Sequence, residues 1–545
     1  MEFKRSSVGF SLAVAGLVFC GCGKTESPAV KKETPATNAV NTTSAPATLP
    51  VREVSRLHWL GKRQLGSATN STLLAVWRLP ESARLEAHIL DRLALAPWRL
   101  LKSDTATNGA PTVLLRPLLQ DLLDEEVYAE VFHPTNQPAQ FTLAVRVSAE
   151  RGELWRTNLA TVVASLTGVQ PAAQGGGWSA ASTNRPAHFE LARKGDWTVV
   201  LISSDLKATM SDALARAESG RAAFSKTGTD NFLAAELDLD RLADVVAFNR
   251  ALATNLPRVS LALGCPASNV VTTATLEFPQ PLGLTLDPWR TPTNLIHGPL
   301  HSFTAVRGVQ SLLGSSALWK NYGSGDAPNQ AFFWAQQPAP FLTFMALPLA
   351  DPAKVVGTFA EHALENSRPW FATHRSGHLD WHPETSVFQW GGLLLMAPFA
   401  RPAEVPEGKF LFSSFANSTL NSPPPATVMD EFLSRTNAVY YDRELTGARM
   451  DGWIYLSQTI RLTLYFAQLP GDSPSIKWLQ AAAPKVGNST TFVTKSGPSQ
   501  LTFSRESSLG LTALEMHVLA EWAESPTFPV GLHSLVAPQM PPPRH

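Results

Sequence analysis

The sequence predicts an α+β fold in which antiparallel strands predominate and amphipathic helices pack on the sheets. Three observations predict it. Short alternating apolar runs are followed by segments of helical period, turn residues close paired strands, and 44% of the 545 residues are hydrophobic. A chain of this length can bury the cores of several ordinary domains. We expect two α+β halves, residues 51–290 and 291–536.

The first predicted strand-helix unit is "STLLAVWRLPESARLEAHILDRLALAPW". Leu73 to Leu79 has the apolar content of a strand, and Pro80 is predicted to open a turn. Apolar residues then recur at helical spacing, and Pro97 is predicted to end that helix. The residues at helical spacing are Leu85, Ile89, Leu90 and Leu93.

Two further units and a hairpin follow in the first half. "FTLAVRVSAERGELWRTNLATVVASLTG" alternates from Phe141 and then predicts a helix closed by Gly168. "FLAAELDLDRLADVVAFNRAL" predicts a third strand and helix. Between these two units, "HFELARKGDWTVVLISS" predicts a hairpin that turns at Lys194-Gly195-Asp196.

The second half repeats this order in pattern, with hardly any identity. "FTAVRGVQSLLGSSALW", "FLTFMALPLADPAKVVGTFAEHAL" and "NAVYYDRELTGARMDGWIYLSQTIRL" follow the three units, and "FQWGGLLLMAPF" stands where the hairpin stood. Each half ends in paired strands, "RVSLALG" with "VVTTATLEF" and "TTFVTKSG" with "SQLTFSR". A duplication predicts a boundary in Leu286 to Pro299, with the two sheets side by side or joined. Accidental strand-helix alternation is the alternative.

At "NSTLLAVWRLP", "LAPWRLL" and "YYDRELTGARM" the chain resembles uncharacterised secreted bacterial lipoproteins that repeat a strand followed by a Leu-rich helix. The resemblance covers most of the body, but it consists of apolar patterns. It implies an envelope location and a fold type. That family has no assigned activity or catalytic residues, so the resemblance implies none here.

The N-terminus has the layout of an export signal. Lys4 and Arg5 precede an apolar run from Val8 to Phe19, which is too short to cross a bilayer as a helix. The Gly23-Lys24-Thr25 that follows is not the end of a phosphate-binding loop, because that motif needs a glycine where Val18 stands.

The end of this signal, Gly21-Cys22, resembles the lipobox of bacterial lipoproteins. In that family the cysteine after the cleaved bond carries the lipid, so the resemblance implies a signal peptide of residues 1–21 and acylation of Cys22. Phe19 departs from the usual leucine, and Cys20 from the preferred small residue. Cys20 is the alternative anchor, and unlipidated secretion or an uncleaved anchor also remain open.

The rest of the chain predicts a tether, a body and a tail. Residues 22–50 hold the anchor cysteine and a Pro/Ala/Thr-rich stretch that lacks the apolar periodicity to fold, and residues 537–545 form a similar tail. The chain has 45 basic and 45 acidic residues, which argues against nucleic acid as a partner. Without Cys20 and Cys22, Cys265 has no disulfide partner, and we expect it to be a small buried residue.

The sequence contains no GxSxG, HExxH or CxxC motif and no GxGxxG after a predicted strand. Its richest cluster of polar residues is "ATHRSGHLDWHPE". If its centre is extended, His378, Asp380 and His382 share one face, and imidazole with carboxylate suits a divalent metal. His374 and Glu384 flank this face. The alternative is an exposed hairpin edge with solvated histidines.

Two other features are candidates for a catalytic or binding role, and each also has a purely structural interpretation. Asp442 and Glu444 in "YYDRE" would lie side by side on a strand, as an acid and base pair does, or they would form an exposed acidic face with Arg443 pointing away. The tryptophans could stack on sugars, but their position beside turns favours core anchors. Those considered are Trp98, Trp155, Trp178, Trp197, Trp289 and Trp453.

These observations favour a lipid-anchored, non-enzymatic protein of the bacterial envelope. Its body would bind an envelope protein, a polymer or an apolar ligand, and no cofactor is expected. The alternative is a membrane-tethered hydrolase, metal-dependent or not, with its site between His374 and Glu384. A deep polar cleft around those histidines would favour the hydrolase.

Overall fold

The computed structural model describes residues 53–68, 71–100, 110–133, 138–182, 187–205, 208–225, 231–245, 255–338, 342–374, 378–391, 398–416, 422–464, 473–525 and 528–529. The predicted signal peptide, Cys22, the tether and the tail lie outside these residues.

Twenty strands of the described residues form one antiparallel sheet, which confirms the predicted α+β class. The strands of the first half are β1 (Glu53–Trp59), β2 (Val127–Phe132), β3 (Gln140–Arg146), β4 (Ala172–Gln174), β5 (Gly177–Ser182), β6 (Ala187–Lys194), β7 (Trp197–Ser203), β8 (Asn231–Asp238), β9 (Arg258–Gly264) and β10 (Val270–Glu277). The strands of the second half are β11 (Ser302–Arg307), β12 (Gln330–Ala335), β13 (Thr343–Pro348), β14 (His378–His382), β15 (Val387–Gly391), β16 (Phe399–Val405), β17 (Gly408–Ser414), β18 (Ala438–Leu445), β19 (Asn488–Gly497) and β20 (Gln500–Ser507).

Fourteen α-helices of the described residues connect and cover these strands. They are α1 (Lys62–Ala68), α2 (Thr72–Trp77), α3 (Pro80–Leu100), α4 (Ala110–Asp124), α5 (Ala149–Thr167), α6 (Met210–Ser225), α7 (Leu239–Val245), α8 (Gln310–Ser315), α9 (Ala317–Tyr322), α10 (Pro352–His374), α11 (Ala426–Ser434), α12 (Thr446–Leu464), α13 (Pro474–Ala482) and α14 (Ala513–Glu524).

The two halves have the same strand order. In the first half it is β4-β5-β6-β7-β3-β2-β1-β8-β9-β10. In the second half it is β14-β15-β16-β17-β13-β12-β11-β18-β19-β20, so each strand has its counterpart ten strands later. β10 pairs with β20 from Val270↔Ser507 to Glu277↔Gln500 and joins the halves into one sheet.

The repeated order is what a duplication requires. Leu286 to Pro299, the predicted boundary, contains neither helix nor strand, apart from a bridge between Gly298 and Ser422. The domain limits 51–290 and 291–536 stay predictions.

Helices cover both faces of the sheet, in the same way in each half. In β2, Tyr128 packs with α6 on one face, here called face A, and Val127 packs with α5 on the other, face B. Ladder partners, followed from strand to strand from Tyr128, lead to Tyr441 of β18. Tyr441 and the helix α11 that packs on it therefore lie on face A as well. α10 packs on the opposite side, against Met345. The halves are therefore related by an approximate two-fold rotation about an axis normal to the sheet, between β10 and β20.

Face B carries a helical cap made from both ends of the described chain. We give this name to α2, α3, α12, α13 and α14. Its core contains Val76 of α2, Met450 of α12, Leu479 of α13 and Met516 of α14. Trp478 Nε1 donates to Ser82 Oγ over 2.9 Å, which ties α13 to α3.

The first predicted strand is wrong. Leu73 to Leu79 lies in α2 and the turn after it, where the Ser71 hydroxyl accepts a hydrogen bond from the Leu74 N–H and caps the helix. A short apolar run does not distinguish a buried strand from a buried helix, and the first strand of the described residues is β1. Pro80 begins α3 rather than a turn, and Pro97 lies inside that helix rather than ending it.

Most of the other units are where the sequence predicts them. β3 leads into α5, and α5 ends at Gly168, which has a φ of 73°. The predicted hairpin is β6 and β7, turning at Gly195 and Asp196. Its counterpart by strand order is β16 and β17, not "FQWGGLLLMAPF", which begins in β15 and ends at the first residue of β16.

Candidate functional site

The predicted histidine cluster lies on a surface hairpin at one edge of the sheet. β14 alternates, so Leu379 and Trp381 pack toward α10 while His378, Asp380 and His382 point away from it. The side chains of His378 and His382 are 65% and 51% exposed. This is the arrangement expected of a solvated edge.

The polar groups of this hairpin form two separate pairs. His378 Nε2 lies 3.0 Å from Asp380 Oδ2, and His382 Nδ1 lies 3.6 Å from Glu384 Oε1. His374 is the last residue of α10, and its side chain lies outside the described residues. In the described part of the chain, no three His, Cys, Asp or Glu side chains are arranged to hold a metal ion.

We expect purified protein to contain no stoichiometric metal, because a stable zinc site needs at least three converging protein ligands. Elemental analysis of the full chain checks this expectation. About one zinc ion per chain, lost in His378→Ala and kept in His362→Ala, would contradict it and favour the hydrolase. His362 is an exposed histidine of α10 and serves as the matched control.

The second predicted pair, Asp442 and Glu444, lies in the interior. Both point to face B of β18 and are only 8% and 6% exposed. The predicted shared face is confirmed, but the predicted exposed acidic face is wrong, because the helical cap covers it. Arg443 points to the other face, as expected, where it lies 4.0 Å from Glu431.

Asp442 belongs to a row of polar residues that crosses the junction of the two halves. Thr304 donates its hydroxyl to Asp442 Oδ1 over 2.6 Å. Arg505 Nε donates to Thr491 Oγ1 over 2.9 Å. The ladder partners in this row, one on each of β11, β18, β19, β20 and β10, are Thr304, Asp442, Thr491, Arg505 and Thr272.

Arg505 connects the sheet to the start of α14. Its guanidinium forms a bidentate pair with Glu515, at 2.6 and 3.0 Å, and donates to the Gly510 carbonyl over 3.2 Å. Glu515 also accepts from the Thr512 N–H, while the Thr512 hydroxyl accepts from the Glu515 N–H. This capping box fixes the first turn of α14.

Glu444, on the sheet strand β18, also binds the start of α14. Its Oε1 accepts a hydrogen bond of 2.6 Å from the Ala513 N–H, one of the donors that a helix start leaves without an intrahelical partner. Arg449 of α12 is buried beside it, and its Nε has no hydrogen-bond partner among the described residues. We call Asp442, Glu444, Arg449, Arg505 and Glu515 the central polar cluster.

Burial shifts the pKa of three members of this cluster. Desolvation, with the negative charge of Asp442 adding to it, raises the pKa of Glu444 from 4.5 to about 7. Burial also raises the pKa of Asp442, against the hydrogen bond from Thr304 and the charge of Arg505. Burial lowers the pKa of the Arg449 guanidinium, while the two carboxylates oppose that change.

These contacts limit the chemistry that the cluster can perform. A general acid or base must reach the proton that it transfers, directly or through one water. Asp442 and Glu444 are instead enclosed by the sheet and the helical cap, and their oxygens bind Thr304 and the start of α14. The cluster is arranged to hold α14 on the sheet.

Surface depressions occur elsewhere. One of about 450 Å³ lies beside the β4–β5 hairpin, where Glu153 and Arg156 line it. Another of about 210 Å³ is lined by Glu81, Arg84, Pro474 and Lys477. Neither contains a residue of the histidine cluster or of the central polar cluster.

The remaining residues singled out by sequence belong to cores. Cys265 is buried among Leu74, Phe232 and Val270, and burial raises the pKa of its thiol, so its predicted packing role is confirmed. Trp98, Trp155 and Trp178 are buried, and the other three tryptophans considered are partly buried against hydrophobic clusters. These positions agree with the predicted role of the tryptophans as anchors of the hydrophobic cores.

Sequence reasoning missed Arg449, Arg505 and Glu515. For Glu515 a signal was available, since "TALE" before an apolar run is a capping box and predicts a helix start at Thr512. For the two arginines no local signal exists, because their partners come from distant segments.

Comparisons with known proteins identify no family. No family model matches the chain, and no curated protein matches it. A solved structure titled "Structure of crystal form I of TP0453" aligns with 42% of this chain and 75% of its own, at 11% identity and a TM-score of 0.23. A TM-score this low carries no argument about function.

Proposed function

We propose that this protein is a lipid-anchored protein of the bacterial envelope with a non-enzymatic binding or structural role. The observation that carries the non-enzymatic part is the burial of Asp442 and Glu444 beneath α14, where both carboxylates are engaged in holding the fold. The exposed, separately paired histidines of β14 support the same proposal.

The anchoring part rests on the N-terminal sequence. A charged start, a short apolar run and Gly21-Cys22 together support export and acylation of Cys22. The resemblance to secreted bacterial lipoproteins points the same way. Among the described residues, no helix combines the length and the apolar character needed to cross a bilayer.

The binding part rests on the form of the body. A sheet of twenty described strands with helices on both faces offers a large folded surface, which suits an envelope protein, a polymer or an apolar ligand as partner. Nucleic acid is an unsuitable partner, because the chain has no net charge and no basic run.

Cys22→Ala is expected to remove the protein from the membrane fraction or to leave its precursor uncleaved, because acylation needs that thiol. Radiolabelled fatty acid should mark the wild type and the Cys20→Ala control, and it should not mark Cys22→Ala. Labelling lost in Cys20→Ala and kept in Cys22→Ala would move the anchor to Cys20. Absence of label in all three proteins would contradict the proposal.

A further inference from the structure

Four apolar side chains form a partly exposed row at one end of the first half. Phe141 of β3 and Ile202 of β7 are ladder partners and are 37% and 38% exposed. Val131 of β2 pairs with Phe141, and Phe189 of β6 pairs with Ile202. We call these four residues the apolar rim.

The rim continues a buried face of the sheet toward the end of its strands. It lies on face B, where Val145 and Val200, farther along the same two strands, are buried by α4 and α5. Along β3 the exposed fraction rises from 0% at Val145 to 37% at Phe141. Phe141 and Ile202 are ladder partners, so their exposed apolar parts are contiguous rather than scattered over the surface.

The N-terminal segment joins the body at this end. β1 begins at Glu53, whose ladder partner is Phe132, and the next paired residue, Ser55, lies opposite Val131 of the rim. Residues 1–52, with the anchor cysteine, therefore precede the body at the end where the rim lies. The tether cannot supply much apolar cover, because the large aliphatic residues of positions 24–50 are Val30, Val40 and Leu49, and it contains no aromatic residue.

The size of the rim argues against a second protein. A stable protein interface uses roughly 20–30 residues on each side, and four partly exposed side chains are far fewer. A bilayer needs only a small apolar projection from a protein that is already tethered to it, since the tether raises the local concentration of the surface.

We propose that the apolar rim contacts the lipid bilayer and inserts Phe141 and Ile202 at the boundary between headgroups and acyl chains. This inference rests on the proposed anchoring at Cys22. It orients the body: the end of the sheet at which β1 begins faces the membrane. The β14 hairpin lies at the far edge of the sheet, in the second half.

The test places an environment-sensitive fluorophore on Ile202→Cys in the full chain, purified with its N-terminal modification. Leu519→Cys is the matched control, because Leu519 is an apolar residue of α14 with the same 38% exposure. Cys265 is buried and is not expected to compete for the label. Both proteins are reconstituted into vesicles of phosphatidylethanolamine and phosphatidylglycerol, and mass spectrometry of each sample reports whether Cys22 carries lipid.

We expect vesicles to reduce iodide quenching of the label at position 202 several-fold and brominated lipids to quench it, with little change at position 519. Phe141→Cys should behave like Ile202→Cys, which guards against a local folding defect in one variant. Equal behaviour at 202 and 519 in a sample with acylated Cys22 would overturn the rim inference and leave the proposed function standing.

Two other outcomes separate the hypotheses. Protection of position 202 from iodide without vesicles would show that the tether covers the rim, and it would overturn the inference. Insertion at 202 in a Cys20→Ala/Cys22→Ala background, which removes the two N-terminal thiols that would otherwise take the label, would support the rim independently of the anchor.

Discussion

Arg505→Met is expected to lower the free energy of unfolding by about 3 kcal/mol, because it removes the cation of a largely buried charge network and leaves its anions behind. Arg505 is the bidentate partner of Glu515, donates to Thr491 and stabilises the charged form of Asp442. Methionine fills much of the same space but supplies none of these donors. The shift of the urea midpoint of the full chain measures the loss.

Arg443→Met is the matched control for that experiment. Arg443 lies on β18, two strands from β20 in the same sheet, points to face A, and has a side chain 25% exposed at 4.0 Å from Glu431. An ion pair of this kind contributes at most about 1 kcal/mol. Equal, small shifts for the two variants would contradict the role given to Arg505. Adding Glu515→Gln to Arg505→Met should recover part of the loss, since glutamine keeps the capping box while removing one unpaired charge.

Glu444→Gln is expected to be more stable than the wild type at pH 8 and similar to it at pH 5. Burial raises the pKa of Glu444 from 4.5 to about 7, so between these values the folded state holds a proton that the unfolded state has lost. Wild-type stability from this group is therefore lost as pH rises through about 7. The difference corresponds to about 3 kcal/mol, and glutamine avoids it while still accepting from the Ala513 N–H.

The comparison between the two proteins is necessary because other buried groups titrate in the same range. Burial lowers the pKa of His517 to about 4, which makes the fold lose stability as pH falls below 6.5 and opposes the effect of Glu444. The charged groups around Glu444 are Asp442 on its own strand, Arg449 on α12, and the Arg505–Glu515 pair between β20 and α14. Urea midpoints of both proteins from pH 5 to 8 give the difference. A variant less stable than the wild type at pH 8 would show that the carboxylate's bond to α14 outweighs its desolvation.

The fold was predictable where local signals and tertiary packing agree. β3, α5 and Gly168 followed from an alternating run, a helical period and a glycine in the left-handed region. The repeated order followed from similar patterns in the two halves. Leu73 to Leu79 failed because its apolar residues suit a strand equally well, and only the Ser71 cap and packing within the helical cap select the helix. The junction of β10 with β20 involves residues more than two hundred positions apart, which no local pattern indicates.

The site was predictable only in part, for the same reason. Period two places Asp442 and Glu444 on one face of β18, and the structure agrees. Their burial depends on α14, which begins at Ala513, and on Arg505, both about sixty or more residues later in the chain. The histidine cluster is richer in side chains suited to metal binding or acid–base catalysis. The alternation of β14 nevertheless points these polar side chains outward on an edge strand.

Intact mass spectrometry of the N-terminal peptide from membrane-purified protein shows directly whether Cys22 anchors this body to the bacterial envelope. We expect a chain that begins at Cys22 and carries acyl groups on that residue. A chain that begins elsewhere without lipid, or one that retains residues 1–21 with an unmodified Cys22 thiol, would contradict it.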